Sequence, residues 1–570
     1  MRVVFFALLA AHALEGAWIR VTSPHFEIVT PARERQARQL MDRLELIRHV
    51  FATAIGAKPA PLPVRVLLLG SEREYRAFRP SKTAAAFFQS GPERDYIVLS
   101  DMGEETLRAA FHEYVHLVLH HSAASLPRWL EEGTAEFYST LTVSKTGRLL
   151  LGGSIPAHRY LLLREGLMSG GQLSSVGRGE AADDHIQAAR FYAQSWALVH
   201  MLNLAPAWRR NLPRFAELLD RSVPPELAFE QAFSVPMERA MPQLQAYLRQ
   251  VDLPLLEVMT GQRPSVDVAV EPMTDTAASL SRVEVLQQIG RSEEAQKLIE
   301  EAEKHDPGSV ELTAAHGYLA LARKQDREAL RRFRQAIDGG SAPAAVYVEY
   351  AMLLRDTGAA KAEWLPFLRE AATRNPKLAE AQFLLGLEAQ RDGRHRDAIP
   401  LFEQATAVLP RQSYFWHALA ISQHHMGNGE QARAAARRAA ETAATTQERE
   451  MATSALRLVS EPEAARPATK VPPVTVPDSW QPKTGDTRIE GILEHIDCFG
   501  ANARFYIRAN GRSVALWVEK PGEILLRTAS GITFDFSCGA QRPRRIIAGY
   551  DAAPDRARKT EGKIVSLEFP

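Results

Sequence analysis

The sequence predicts a multidomain chain: an α+β domain, an all-α repeat superhelix, and a small all-β domain near the C-terminal end. Three observations carry this. A histidine-bearing motif sits in an amphipathic helical run that follows several strand-like segments. A period of 34–35 residues runs through the middle of the chain. Beyond it, a proline-rich stretch gives way to β-branched, alternating sequence.

The 570 residues are 45% apolar and 24% charged, with a net charge of +1. That length suits several domains, and the charge balance gives no electrostatic case for nucleic acid or an anionic membrane. Two cysteines make neither a disulfide scaffold nor a cysteine-ligated metal protein.

Met1 to Ala13 has the marks of a secretory signal peptide. Arg2 supplies the charge, Val3–Ala11 the apolar core, and Ala11-His12-Ala13 a small-x-small cleavage site, with Ala17 a second possible cut. Residues 1–17 are therefore expected to be removed from an exported, extracytoplasmic protein, periplasmic or secreted in the bacterial manner; the other reading is a buried N-terminal strand. No other stretch approaches membrane-spanning length.

The first domain is expected over 18–255. Strand signals lie at Trp18–Val21 and Phe26–Val29, followed by a helix from Ala32 to about Ile55. Further strands follow at Val64–Leu69, Ala84–Gln89 and Asp95–Leu99. Then comes Phe111-His112-Glu113-Tyr114-Val115-His116, inside Thr106–His121, a run without glycine or proline. On a helix His112 and His116 stand one turn apart and can bind one zinc ion from one face. Glu113 lies about 100° round the helix, where a carboxylate can reach the nucleophilic water without being a ligand. A catalytic zinc needs a third protein ligand and one open position. Trp129-Leu130-Glu131-Glu132-Gly133-Thr134-Ala135-Glu136 offers it: Pro127 breaks the chain, Leu130–Thr140 reads as helical, and Glu131 and Glu132 both lie near its start. The metzincin pattern needs Gly and His where Leu119 and Ser122 stand, so it fails.

His112-Glu113-x-x-His116 with Trp-Leu-x-Glu-Gly-x-Ala-Glu resembles the gluzincin metallopeptidases, in particular the bacterial peptidase-MA-like branch related to aminopeptidase N. The resemblance implies an α+β metallopeptidase domain with one Zn²⁺ per chain. It implies His112, His116 and Glu132 as ligands, since the family's ligand is the Glu directly before Gly, and Glu113 as general base. It also implies that one of the strands before the helix binds the substrate backbone in extended form. Phe191-Tyr192-Ala193-Gln194-Ser195-Trp196-Ala197 resembles the segment where aminopeptidase N-like enzymes carry a catalytic tyrosine, so Tyr192 is the candidate oxyanion donor. Its other reading is a packed aromatic; His185 and Arg190 are further polar candidates. The Gly-x-Met-Glu-Asn-like segment of the exopeptidases is not recognisable upstream, which points to an endopeptidase.

Glu136 shares the face of Glu132 one turn on. A ligating histidine usually donates its second N–H to a carboxylate, so Glu136 is a candidate partner of His112; otherwise it is a solvated helix carboxylate. His120 and His121 read as helix-end histidines beside the C-terminal dipole. Leu141–Gly152 resembles a hairpin, and helices follow over His158–Arg164, Ile186–Leu204 and on to about Val251.

Residues 256–277, with Pro264 and Pro272, read as a linker. The repeat then begins. Ala302, Ala336, Ala371, Ala405 and Ala439 are spaced 34, 35, 34 and 34. Ile299, Phe333, Leu368, Phe402 and Ala436 keep step, as do Ala295, Ala329, Trp364, Ala398 and Ala432. Small residues where helices cross, a large one in the core and Pro410 at a repeat boundary form the tetratricopeptide (TPR) pattern. Five helix pairs over 278–443 and a final helix to Ser460 are expected to stack into a superhelix. Its use is either docking of a peptide or protein partner or spacing between domains.

Residues 461–486 carry six prolines and read as a semi-rigid linker. The last domain, 487–570, shows strands at Thr487–Asp497, Arg504–Arg508, Ser513–Val518, Ile532–Phe536, Arg544–Tyr550 and Lys563–Phe569. Ala509-Asn510-Gly511-Arg512 is a hairpin turn between the second and third. A small barrel or sandwich is expected. Cys498 and Cys538 each end a strand and could pair in an exported protein, which loop entropy values at about 4 kcal/mol. Free thiols or a weak metal pair are the alternatives.

The function expected is an exported zinc metallopeptidase with a protein partner on its repeats. A catalytically silent repeat scaffold and a zinc hydrolase of a non-peptide amide are the other readings.

Overall fold

A computed structural model describes residues 17–569 apart from 57–59, 81–83, 101–102, 123–125, 177–184, 222, 261–264, 461–486, 500–501, 520–524 and 529–538. The signal segment and the proline-rich linker fall outside the described residues. The chain forms two compact units, Met1–Ser309 and Val310–Pro570.

The first unit is built on a six-stranded sheet. Its strands are β1 (Ile19–Thr22), β2 (Phe26–Thr30), β3 (Val64–Leu68), β4 (Ala86–Ser90), β5 (Asp95–Leu99) and β9 (Ala269–Pro272), in the order β4-β5-β3-β2-β1-β9. The β2–β3 and β3–β5 pairs are parallel and the other three antiparallel. β4 is thus an edge. On one face lie α1 (Glu34–Val50), which runs into a single π turn at Phe51–Ile55, and α3 (Glu104–His120), with the short α2 (Glu72–Tyr75) between them in sequence. Phe26, Ile28, Val66, Ile97 and Leu99 of the sheet share one core with Leu40 and Leu44 of α1 and Phe111 and Val115 of α3.

That core continues into a helical half. It holds α4 (Arg128–Ser139), α5 (Pro156–Glu165), α6 (Gly170–Ser175), α7 (His185–Leu204), α8 (Pro206–Arg209), α9 (Leu212–Asp220), α10 (Pro225–Phe233) and α11 (Met237–Leu248). Two stretches of the chain correct the sequence reading. The hairpin β6 (Thr142–Val143) and β7 (Leu149–Leu151) gains a third strand, β8 (Leu256–Val258), and β9 adds antiparallel to β1. Residues 256–277, expected as a linker, therefore carry two strands of this unit. Strands of three and four residues leave almost no pattern of their own; pairing with distant partners makes them.

The first helix pair, α12 (Asp275–Gln288) and α13 (Ser292–Glu303), also belongs to this unit. Arg65 on β3 is buried and held by Glu27 at 2.8 Å and by Glu284 of α12 at 2.5 Å. The Tyr96 hydroxyl donates to the same Glu284 at 3.1 Å. Arg282 lies 4.7 Å over the Trp18 ring and 3.4 Å from Glu74. The sheet thus has α1 and α3 on one face and α12 on the other.

The second unit continues the helix pairs: α14 (Val310–Ala322) with α15 (Asp326–Asp338), α16 (Ala344–Asp356) with α17 (Lys361–Arg374), α18 (Ala379–Arg391) with α19 (His395–Val408), and α20 (Ser413–His425) with α21 (Gly429–Thr442), then α22 (Thr446–Ser460). With α12–α13 these are the five pairs and final helix expected. The periodic small residues explain themselves at Gly386, where an added Cβ would lie 2.6 Å from the Phe402 ring. Gly317 faces Phe333 in the same way. The large core residue of each of these pairs fills the space that the glycine leaves open.

The C-terminal domain is a barrel: β10 (Thr487–Phe499), β11 (Asn502–Ala509), β12 (Arg512–Glu519), β13 (Leu525–Thr528), β14 (Gly539–Asp551) and β15 (Gly562–Phe569) in the order β12-β11-β10-β14-β15-β13, with a β12–β15 pairing that closes the ring. Leu493, Phe505, Ile507, Leu516, Ile546 and Leu567 fill it. Asn510 and Gly511 both adopt positive φ, 50° and 77°, as a two-residue type I′ hairpin turn requires. The strand expected at Ile532–Phe536 lies outside the described residues, and β13 was not expected. Cys498 is disulfide-bonded; Cys538, the other cysteine of the chain, lies outside the described residues. Among the described residues no helix is long and apolar enough to cross a membrane.

Candidate metal centre

The α3 sequence divides cleanly by face. Ala110, Phe111, Tyr114, Val115 and Leu117 are buried in the core, while His112, Glu113 and His116 remain half-buried on the opposite side. Apolar spacing alone produces this, because residues three and four apart share a helix face. α4 starts behind Pro127, buries Trp129 and Phe137, and crosses α7 closely at Gly133. A Cβ on Gly133 would run into the Ser195 carbonyl and lie 2.6 Å from Val199. The glycine after Glu132 is thus what lets α4 approach α7.

The result is a triangle of three donor atoms. His112 Nε2 and His116 Nε2 are 3.0 Å apart, and Glu132 Oε2 is 3.5 Å from the first and 3.3 Å from the second. Ligands about 2.0–2.1 Å from a tetrahedral ion stand about 3.3–3.4 Å from one another. The triangle therefore fits zinc, with three protein ligands and one position left over. Among the described residues this is the group of His, Cys, Asp and Glu side chains that converges tightly enough for an ion. Glu132 rather than Glu131 occupies it.

The electrostatics match the geometry. Burial works against a charged His112, but the hydrogen bond to Glu132 and the charges of Glu136, Glu113 and Glu132 prevail and raise its pKa. Burial likewise opposes the Glu132 anion, yet the two histidines hold its carboxyl well below the usual range. Two nitrogens and a carboxylate this close need a cation among them, whether protons or a metal.

Glu113 points to the sheet edge. Its Oε2 accepts the Phe88 N–H of β4 at 2.8 Å. β4, not β5, is thus the strand beside the centre with a free side; β5 lies inside the sheet. Tyr192 on α7 is partly buried against the core. Its hydroxyl is pushed up to about 12 by burial first and by the Glu132 charge next, with Arg128 opposing. The candidate tyrosine therefore lies within electrostatic range of Glu132.

Glu136 is buried and is no solvated carboxylate. Its Oε1 is 3.6 Å from His112 Nδ1; its Oε2 is 2.7 Å from Arg108 Nη1 and 3.4 Å from His158 Nε2. Burial opposes its charge, while His158, His112 and Arg108 hold its pKa down at about 2. Arg128 Nε stands 3.8 Å from Glu132 Oε1, and its guanidinium lies 5.3 Å over the Phe191 ring.

Arg108, Arg128 and His158 escaped the sequence reading. The arginines had a legible signal: Arg108 stands one turn before His112 and Arg128 one turn before Glu132, each on the same helix. His158 comes from α5 and had none. His120 and His121 do end α3, but His121 also has a specific partner, Asp95 Oδ2 at 2.5 Å, both groups being buried. The His185 side chain lies outside the described residues, and no described contact brings Arg190 to the centre.

No family model and no curated protein matches the chain. Among solved structures, YrrB, a TPR protein with an unusual peptide-binding site, is 18% identical over 32% of this chain and 92% of its own, with a TM-score of 0.26. MamA is 19% identical over 28% and 93%, TM-score 0.24. TTC0263, a thermophilic TPR protein in Thermus thermophilus, is 23% identical over 32% and 99%, TM-score 0.25. At such values the TPR-like character of this chain stands on its own helix pairs and their period.

Proposed function

We propose that the chain is an exported zinc-dependent metallopeptidase whose TPR-like array engages a protein partner. The observation that carries the reading is the triangle of His112, His116 and Glu132, whose edges suit a tetrahedral ion with one open position. When bound, zinc would supply Lewis acidity and lower the pKa of its water.

The chain's own residues supply the rest. Glu113, held by the Phe88 N–H, would take the proton of the attacking water and return it to the leaving amine. The free side of β4 offers backbone N–H and C=O groups to an extended peptide, which would add as another strand. Tyr192 would donate to the oxyanion of the tetrahedral intermediate.

A second reading is a repeat scaffold without catalysis. It is favoured by the array, which accounts for more of the chain than the centre does and needs no metal to dock a partner. A zinc hydrolase of a non-peptide amide would use the same ligands. Zinc content of the purified protein, wild type beside Glu132→Ala, separates these readings when joined to cleavage of a denatured-protein mixture by wild type and Glu113→Gln. The peptidase reading expects one zinc per chain, lost in Glu132→Ala, with cleavage abolished in Glu113→Gln while its zinc is retained. Zinc without cleavage favours the scaffold or the non-peptide hydrolase; absence of zinc leaves the scaffold.

A further inference from the structure

We propose that Arg108 and His158 are positioning residues of the metal centre, acting through Glu136 on His112. The inference rests on reading His112, His116 and Glu132 as ligands.

To present Nε2 to an ion, His112 must carry its proton on Nδ1 and keep its ring plane fixed. A carboxylate that accepts Nδ1–H does both. Glu136 is the carboxylate in place, with Oε1 3.6 Å from Nδ1. A buried carboxylate can serve only if it stays ionised and does not turn away, and a buried anion needs partners. Arg108 and His158 are those partners, and both act on the other oxygen. Arg108 donates to Oε2 at 2.7 Å and His158 Nε2 stands 3.4 Å from it. With Oε2 engaged, Oε1 is left for His112.

The three groups come from three elements: Arg108 from α3, Glu136 from α4 and His158 from α5. Each is itself held. Arg108 also bonds Glu105 at 3.1 Å and reaches Ser139 Oγ at 3.5 Å. The His158 ring packs edge-on to Trp196, centroids 6.0 Å apart. The hub therefore ties the helix that carries both histidine ligands to the helix that carries the glutamate ligand, through a contact that is not itself a ligand. Arg108 lies one turn before His112, so its guanidinium reaches Glu136 from the ligand's own helix.

The test is zinc affinity of the full-length protein, read by competition with a chelating indicator. Wild type is compared with Arg108→Gln, Arg108→Lys, His158→Gln, Glu136→Gln and the double variant Arg108→Gln/Glu136→Gln. Thermal unfolding of each zinc-free protein is followed alongside. Loss of such an outer contact is expected to weaken zinc about 10- to 100-fold in Arg108→Gln and Glu136→Gln. His158→Gln should weaken it by less, and Arg108→Lys, which keeps the charge, should fall between wild type and Arg108→Gln. Because Arg108 acts through Glu136, the double variant should bind no more weakly than Glu136→Gln alone. A purely structural role would lower the zinc-free unfolding temperature and leave the affinity unchanged. Wild-type affinity in Arg108→Gln, or full additivity in the double variant, overturns the proposal while the metal centre stands. A wild type that takes up no zinc overturns both.

Discussion

At the scale of single residues, α4 does three things within one and a half turns. Glu132 completes the donor triangle, Gly133 permits the approach to α7, and Glu136 accepts from Arg108 and stands at ion-pair distance from His112 and His158. Gly133 is the position where a small change tells most. In Gly133→Ala the new methyl meets the Ser195 carbonyl, and overpacking of this kind costs about 1–3 kcal/mol. Relief requires α4 to move off α7, which takes Glu132 with it. We expect Gly133→Ala to bind zinc at least tenfold more weakly while remaining folded; calorimetric titration against circular dichroism of the same sample decides it, and unaltered zinc binding would refute the role given to this glycine. The convergence of His112, His116 and Glu132 was legible because two histidines one turn apart, followed by Glu-Gly in a second helix, form a local pattern. Arg108 and Arg128 could have been found by the same one-turn rule. His158 could not, since only the packing of α5 brings it to Glu136.

At the scale of elements, the edge strand β4 and the helix α3 are linked by one backbone group. The Phe88 N–H is given to Glu113 rather than to the ladder, and an edge position of that kind tolerates proline. On the metallopeptidase reading, Phe88→Pro should therefore keep the sheet and zinc binding at the triangle but release Glu113. A hydrogen bond to a charged group contributes about 1.5–3 kcal/mol, so kcat should drop roughly 10- to 100-fold with KM little changed. Steady-state kinetics on a cleaved peptide checks this, and a change confined to KM would point instead to lost substrate pairing. The number and pairing of the array's helices were legible because each pair repeats the same small and large positions. β8, β9 and β13 were not, because three or four residues carry too little alternation to stand out, and their existence depends on partners far away in the sequence. The choice of β4 over β5 was equally hidden: strand order is a property of the sheet, not of either segment.

At the scale of the whole molecule, the first helix pair is part of the sheet-bearing unit. Arg65 is the pivot, buried between Glu27 and Glu284, with Arg20 and Arg94 also on Glu27. Burial pushes the Glu27 pKa up, but Arg65, Arg94 and Arg20 outweigh it and hold it below its ordinary value of 4.5. A depressed carboxyl contributes stability that is present above the unfolded value and is lost as the pH falls through the folded one. The sheet unit should therefore lose stability on acidification below about 4.5, and Glu27→Gln should be less stable at neutral pH with a flatter acid limb. Urea midpoints measured between neutral and acidic pH test this; parallel acid limbs would remove Glu27 from the account. Domain boundaries were the part of the organisation least visible in the sequence, because the composition of 256–277 resembles a linker although its ends are tied into two sheets.

β9 closes the sheet on β1, and the two lie roughly 250 residues apart in the chain. At translation rates of about 5–20 residues per second, β1 waits on the order of 12–50 s for the strand that covers it. Through that interval its open side is a template for pairing with any other nascent chain. The unit cannot complete itself as it emerges; it is finished only when the start of the repeats arrives, so a holding chaperone, or export in an unfolded state, would be in step with how the chain is wired.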